Sequence, residues 1–141
     1  MNKISGPLLD RIDIQCEITP VPFKDISKAA QGEPSAEIRK RVIRAREIQA
    51  ERFSGQKGIH CNAQMSERMI HQYAEPDEAG ISMLRMAMER LSLSARAYNR
   101  ILKVARTIAD LEGCEHVESH HLAEAIGYRT LDRGDWAERG I

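Results

Sequence analysis

Apolar residues recur at three- and four-residue intervals along most of this chain, and the longest such run is Leu93–Gly113. At about 100° per residue its side chains sort into two arcs. Ala97, Tyr98, Ile101, Leu102, Val104, Ala105, Ile108, Ala109 and Leu111 fill the wider arc, with Glu112 as the one charge among them. Arg96, Asn99, Arg100, Lys103, Arg106, Thr107 and Asp110 share the narrower arc, which is expected to stay accessible. Both ends carry signals. Ser94 can accept a bond from an orphan N–H of the first turn, and Gly113 stands where a left-handed residue closes a helix. A helix this apolar must be covered by others on most sides.

The same period predicts those others. Ser35 caps a helix to about Phe53, with Ile38, Val42, Ala45 and Gln49 aligned in a narrow stripe. Ser66 caps a short helix carrying Met69, Ile70 and Tyr73. Pro76-Asp77 opens one that runs to Leu91, and Ser119 caps a last one that turns Leu122, Ala125 and Ile126 inward. Gly55 and Gly58 break the chain between Ser54 and Gln64. The expected fold is all-α, a bundle of about four to five helices over residues 35–129. Residues 21–34, with Pro22, Gly32 and Pro34, read as a linker with one helical turn around Asp25 to Ala30. Residues 130–141 read as a fraying polar tail.

Residues 1–20 follow a different period. After Ser5-Gly6-Pro7 and a turn at Leu8–Arg11, Ile12, Ile14, Cys16 and Ile18 alternate with Asp13, Gln15 and Glu17. Period two predicts a strand with one buried face. No second strand is evident, and a lone strand cannot satisfy its own backbone. The expectation is a strand severed from a larger core, in a chain that ends a longer protein. Residues 1–20 should then be disordered, or paired with another copy.

Charge and cysteine content narrow the function classes. Lys plus Arg equals Asp plus Glu at 21 each, so only local clustering can speak for nucleic acid. Arg39, Lys40, Arg44 and Arg46, on the Ser35 helix, form such a cluster. They read first as a solvated face, and alternatively as a contact for nucleic acid or a neighbouring subunit. No apolar run approaches 18 residues, so no membrane span is expected. Three cysteines fit a reducing cytoplasm. The spacing of Cys114, His116, His120 and His121 matches no zinc pattern, and no metal is expected. The chain has no G-x-x-x-x-G-K-[ST] loop.

Two arginines stand out. Arg96 lies in the first turn of its helix, where the dipole disfavours a cation but attracts an anion. Arg11, on a turn ahead of the strand, can reach a neighbour's phosphate and stabilise charge in phosphoryl transfer. Alternatively it is a surface residue paired with Asp10 or Asp13.

Lys3-Ile4-Ser5-Gly6-Pro7-Leu8-Leu9-Asp10-Arg11-Ile12-Asp13-Ile14 resembles the arginine-finger segment of magnesium-chelatase-like AAA+ ATPases. The run from Leu93 to Ile101, continued by Val104–Gly113, resembles the sensor-2 helix of the same family's lid. His121–Arg129 resembles the closing lid helix, and Ser35–Arg52 and Asn62–Met65 also match. The resemblance implies a hexameric ATPase with ATP and Mg bound between copies of one subunit, and Walker motifs upstream of Met1. It makes Arg11 the arginine finger and Arg96 the sensor-2 arginine, with Arg100 a second contact for ATP phosphates. It implies that the chain alone is inactive and that its parent is a DNA motor driving branch migration in natural transformation. The alternatives are the motor of a true magnesium chelatase, and a free-standing DNA-binding or subunit-interaction module.

Overall fold

The computed structural model describes residues 5–27 and 32–129. The expectations placed on Lys3, Ile4, Ala30 and residues 130–141 lie outside these. Seven α-helices follow in order: α1 (Gly6–Leu9), α2 (Phe23–Ile26), α3 (Ser35–Arg52), α4 (Glu67–Tyr73), α5 (Glu78–Arg90), α6 (Ala95–Glu112) and α7 (Ser119–Gly127). A 3₁₀ turn at Asn62–Gln64 lies between α3 and α4. The described residues contain no strand, so the all-α class holds.

Local chemistry sets the helix ends. Ser94 Oγ accepts from Ala97 N at 3.2 Å, Ser66 Oγ from Met69 N at 3.4 Å, and Asp77 Oδ1 from Gly80 N at 2.7 Å. Gly113 adopts φ 77°, ψ 23°, the left-handed geometry that closes α6 without a Cβ clash. Two caps fall one residue earlier than expected. Pro34 precedes α3 and Glu118 precedes α7, so Ser35 and Ser119 are the first helical residues.

Helix α6 is the centre of the packing. It is contacted by α3, α4, α7 and the 3₁₀ turn, while α5 packs on α7. Ile101, Leu102, Ala105 and Ala109 are buried in one cluster with Phe53, Met65, Ile70, Leu84 and Leu122. Each large apolar side chain removed from water stabilises the bundle by about 1.5–3 kcal/mol. Close approach of α5 to α7 depends on Gly80. A Cβ there would lie 2.7 Å from Leu122 Cδ1 and 2.8 Å from Pro76 Cβ.

The α6 arcs need correction toward the C-terminal end. Arg106 and Asp110, expected on the accessible arc, are buried, whereas Leu111 is exposed. Polar residues contributed by α3 and the 3₁₀ turn cover that end, so charge is satisfied inside the protein instead of by water.

Residues 1–20 also depart from expectation where they are described. The alternating segment is irregular, and Ile12, Ile14 and Ile18 are exposed. With no strand edge to pair with, the backbone finds partners on the bundle. Gln15 N donates to Tyr128 O at 3.0 Å, and the Arg129 guanidinium donates to Asp10 O and Ile12 O. The segment from Gly6 to Gln15 is therefore docked on its own chain.

Candidate functional site

The N-terminus of α6 is where the docked segment meets the lid-like bundle. Ser94 both caps α6 and donates its hydroxyl to Asp10 Oδ2 at 3.1 Å. A carboxylate thus already sits at the positive end of the helix, where the orphan N–H groups and the dipole favour negative charge. Arg11 is the next residue, on the turn after α1, with Arg11 N donating to Leu8 O at 3.1 Å. Its side chain is exposed, as is that of Arg96 two residues beyond the cap. The contact between Asp10 and Ser94 brings Arg11 and Arg96 to one end of α6. Among the described residues, neither side chain has a hydrogen-bond or ion-pair partner.

A groove of about 640 Å³ runs on from there along the polar arc of α6. Arg96, Arg100, Lys103 and Thr107 line one side, with Asp13, Ile14 and Tyr128 opposite them. Arg100 is paired with Asp13 at 2.5 Å, and Lys103 Nζ donates to Ala63 O at 3.0 Å. Arg100 is thus engaged by a carboxylate where a phosphate contact was expected, while Arg96 is left open. The groove wall includes none of Arg39, Lys40, Arg44 and Arg46. Those four are exposed on α3, and Lys40 pairs with Glu37 at 2.7 Å, as a solvated face would.

Beyond the groove, the buried end of α6 holds a charge network. Asp110 accepts from Arg52 at 2.5 and 2.8 Å, from Asn62 Nδ2 at 2.8 Å and from Arg106 Nε at 3.2 Å. Arg106 also donates to the carbonyls of Tyr73, Cys114 and Glu115, so it satisfies chain ends of α4 and the α6–α7 loop. Burial pulls this guanidinium below its ordinary value, against the pull of Asp110. The network is structural; its donors and acceptors are spent on one another.

Glu112, the one charge in the apolar arc, has a use of its own. Its Oε2 lies 2.8 Å from His120 Nε2 and 2.7 Å from His121 Nε2. Glu112, Cys114 and His121 come close enough together to resemble a metal-ligand set. The hydrogen bonds give a different reading. His121 Nδ1 accepts from Glu118 N at 2.9 Å, so the proton of the neutral ring is on Nε2 and points at Glu112. That tautomer leaves Nε2 no lone pair for a metal. Burial and Glu112 push the Cys114 thiol up, away from thiolate. The cluster is a clasp between the end of α6 and the start of α7.

Comparison with known proteins places these features in a family. Residues 32–129 match the family described as magnesium chelatase, subunit ChlI C-terminal. The chain belongs to this family. It is 41% identical over 134 residues to competence protein ComM of Haemophilus influenzae, covering 94% of this chain and 25% of that protein. Protein YifB of Salmonella typhimurium is 42% identical over 134 residues, covering 94% of this chain and 26% of YifB. Protein Mb2921c of Mycobacterium bovis is 36% identical over 129 residues, covering 92% and 25%. The chain spans about a quarter of the length of these relatives. As a magnesium-chelatase-like, ComM-type chain it carries the family match on its bundle, while the Arg11 turn lies ahead of the matched residues. Among the described residues no helix is long and apolar enough to cross a membrane.

Three residues that hold the fold around this site escaped the sequence reading. Arg52, Asn62 and Arg129 stand there only within stretches that resemble the family. The pair Arg106 and Asp110, four residues apart on one face, was the available signal for the network. Nothing comparable marks Arg129, whose partners are backbone carbonyls.

Proposed function

We propose that this magnesium-chelatase-like chain is the C-terminal lid of a hexameric, ATP-hydrolysing motor. Arg96 is the sensor-2 arginine on the ATP phosphates and Arg11 the arginine finger. One observation carries the reading. The Asp10–Ser94 contact holds both arginines at the positive end of α6, exposed and unpaired among the described residues. Each free guanidinium suits a phosphate group better than any neutral ligand, Arg96 on the nucleotide its own lid would cover and Arg11 on that of a neighbouring copy. ATP and Mg would be held largely by the rest of the parent protein. The lid would close over the nucleotide, and Arg11 would stabilise charge developing on the phosphoryl group transferred at a neighbouring copy. Arg100 is the weaker phosphate contact, released only if Asp13 lets go.

For the motor's work, we propose DNA recombination by branch migration during natural transformation, in the cytoplasm. The name of the Haemophilus influenzae relative ties one ComM-type protein to competence. The basic face of α3 (Arg39, Lys40, Arg44 and Arg46) is the available contact for DNA or a neighbouring subunit.

The test is subunit mixing in the full-length protein. Arg11→Ala should reduce ATP turnover by about 10³-fold or more while nucleotide still binds. Mixed with a partner unable to bind ATP, it should behave as a lesion supplied in trans. Full turnover by Arg11→Ala would overturn the finger assignment.

A further inference from the structure

We propose that Arg129 is a positioning residue for Arg11, and that through it the position of the lid in one subunit sets the finger offered to the next. The proposal rests on the reading of Arg11 given above. Arg129 comes just after Tyr128, the C-cap of α7, and is 1% exposed although it is a guanidinium. Its Nη1 donates to Ile12 O at 2.8 Å and its Nη2 to Asp10 O at 3.1 Å. Those two carbonyls bracket Arg11. One planar group therefore grips the backbone on both sides of the exposed side chain.

Chemistry makes this grip directional. A guanidinium presents its donors in a rigid planar fork, so two acceptors bound in that plane are held at a fixed spacing and orientation. A lysine ammonium could satisfy one carbonyl with freely turning donors but would not fix both. The neighbouring contacts close the turn from either end. Asp10 Oδ2 is held by Ser94 at the start of α6, and Gln15 N donates to Tyr128 O beside Arg129. The Arg11 turn is thus fastened to two helices of the lid, to α6 by its cap and to the end of α7 by Arg129.

The consequence is a short path for coupling. Arg96 and the Ser94 cap share the first turn of α6, and α6 packs against α7. A shift of the lid on its own nucleotide carries α7 and Arg129 with it. The carbonyls of Asp10 and Ile12 follow, and Arg11 is re-aimed. Reacting groups misplaced by about 1 Å can lose on the order of 10²-fold in rate, so small lid movements suffice.

The experiment compares Arg129→Lys with Arg11→Ala in the full-length protein, reading kcat and KM for ATP, melting temperature, and amide exchange over residues 10–15. Arg129→Lys is expected to fold, to lower kcat by roughly 10²-fold with KM nearly unchanged, and to speed exchange at Ile12 and Gln15. A folded Arg129→Lys with wild-type kcat, beside an inactive Arg11→Ala, would overturn this inference alone. Wild-type turnover by Arg11→Ala would bring down the finger reading and this inference together. Should Arg129→Lys fail to fold, exchange in the wild-type protein decides: residues 10–15 protected to the level of α7 support the grip, and exchange at free-chain rates contradicts it.

Discussion

Arg52 and Asp110 form a two-pronged ion pair, Nη2 to Oδ1 at 2.5 Å and Nη1 to Oδ2 at 2.8 Å, that ties the end of α3 to the end of α6. Asp110 is fully buried and shares its carboxylate with the buried Arg106. This anchor fixes the far end of α6 to α3 and to the 3₁₀ turn, whose Asn62 also donates to Asp110.

Removing the shared carboxylate should therefore be costly. Asp110→Ala leaves Arg106 buried without its counter-ion and removes one of the two acceptors of the Asn62 amide, Thr107 Oγ1 being the other. The expected loss is about 3–5 kcal/mol, the usual cost of breaking a buried pair from one side. Urea unfolding measures it. A loss below about 1 kcal/mol would mean that the network behaves like surface charge.

Gly80→Ala tests the contact between α5 and α7. Alanine is the better helix former by about 1 kcal/mol, so an open site would be stabilised. Here the new Cβ meets Leu122 Cδ1 and Pro76 Cβ at under 3 Å. Leu122 can turn its tip, but the proline ring cannot. The expected net effect is a destabilisation of about 1–3 kcal/mol, read by thermal melting, and a raised melting temperature would contradict it.

The clasp at the α6–α7 junction is expected to be pH-dependent. The hydrogen bond to Glu112 raises His120 above its ordinary 6.5, and the bonds from His120 and then His121 lower Glu112 below its ordinary 4.5. The His120 contribution is full below 6.5 and is lost as pH rises through the raised value. That of Glu112 is full above 4.5 and is lost as pH falls through the lowered value. Both are present together between those limits. His120→Ala should then lower the melting temperature more at about pH 5.5 than at about pH 9. An equal difference at both would rule out the charged clasp.

Much of this architecture can be read from local sequence. The caps Ser66, Asp77 and Ser94 and the closing Gly113 act within one turn, so their side chains announce them. The exposed Arg96 follows from helix phase alone. What could not be read depends on partners distant in the chain. Arg52 and Asp110 are 58 residues apart, and Asn62 and Asp110 are 48. Phase placed Arg106 and Asp110 on the polar arc correctly, but only the fold shows that arc covered at one end. The Ile12–Ile18 alternation was legible as a strand pattern. Pattern cannot supply an edge to pair with, and in this chain the segment docks through the Ile12 carbonyl and the Gln15 N–H instead. Arg129 was illegible for a related reason: backbone acceptors leave no mark in residue identity.

The proposed function turns on Arg96 meeting the phosphates of ATP. The direct measurement is steady-state ATP turnover by the full-length protein carrying Arg96→Ala. Arg96 is exposed and has no partner among the described residues, so the substitution should leave the melting temperature within a degree or two of wild type, as surface changes do. Turnover should fall by roughly 10²-fold, the scale of removing one preorganised charge from a reacting oxygen. Wild-type turnover in a folded Arg96→Ala protein would contradict the account.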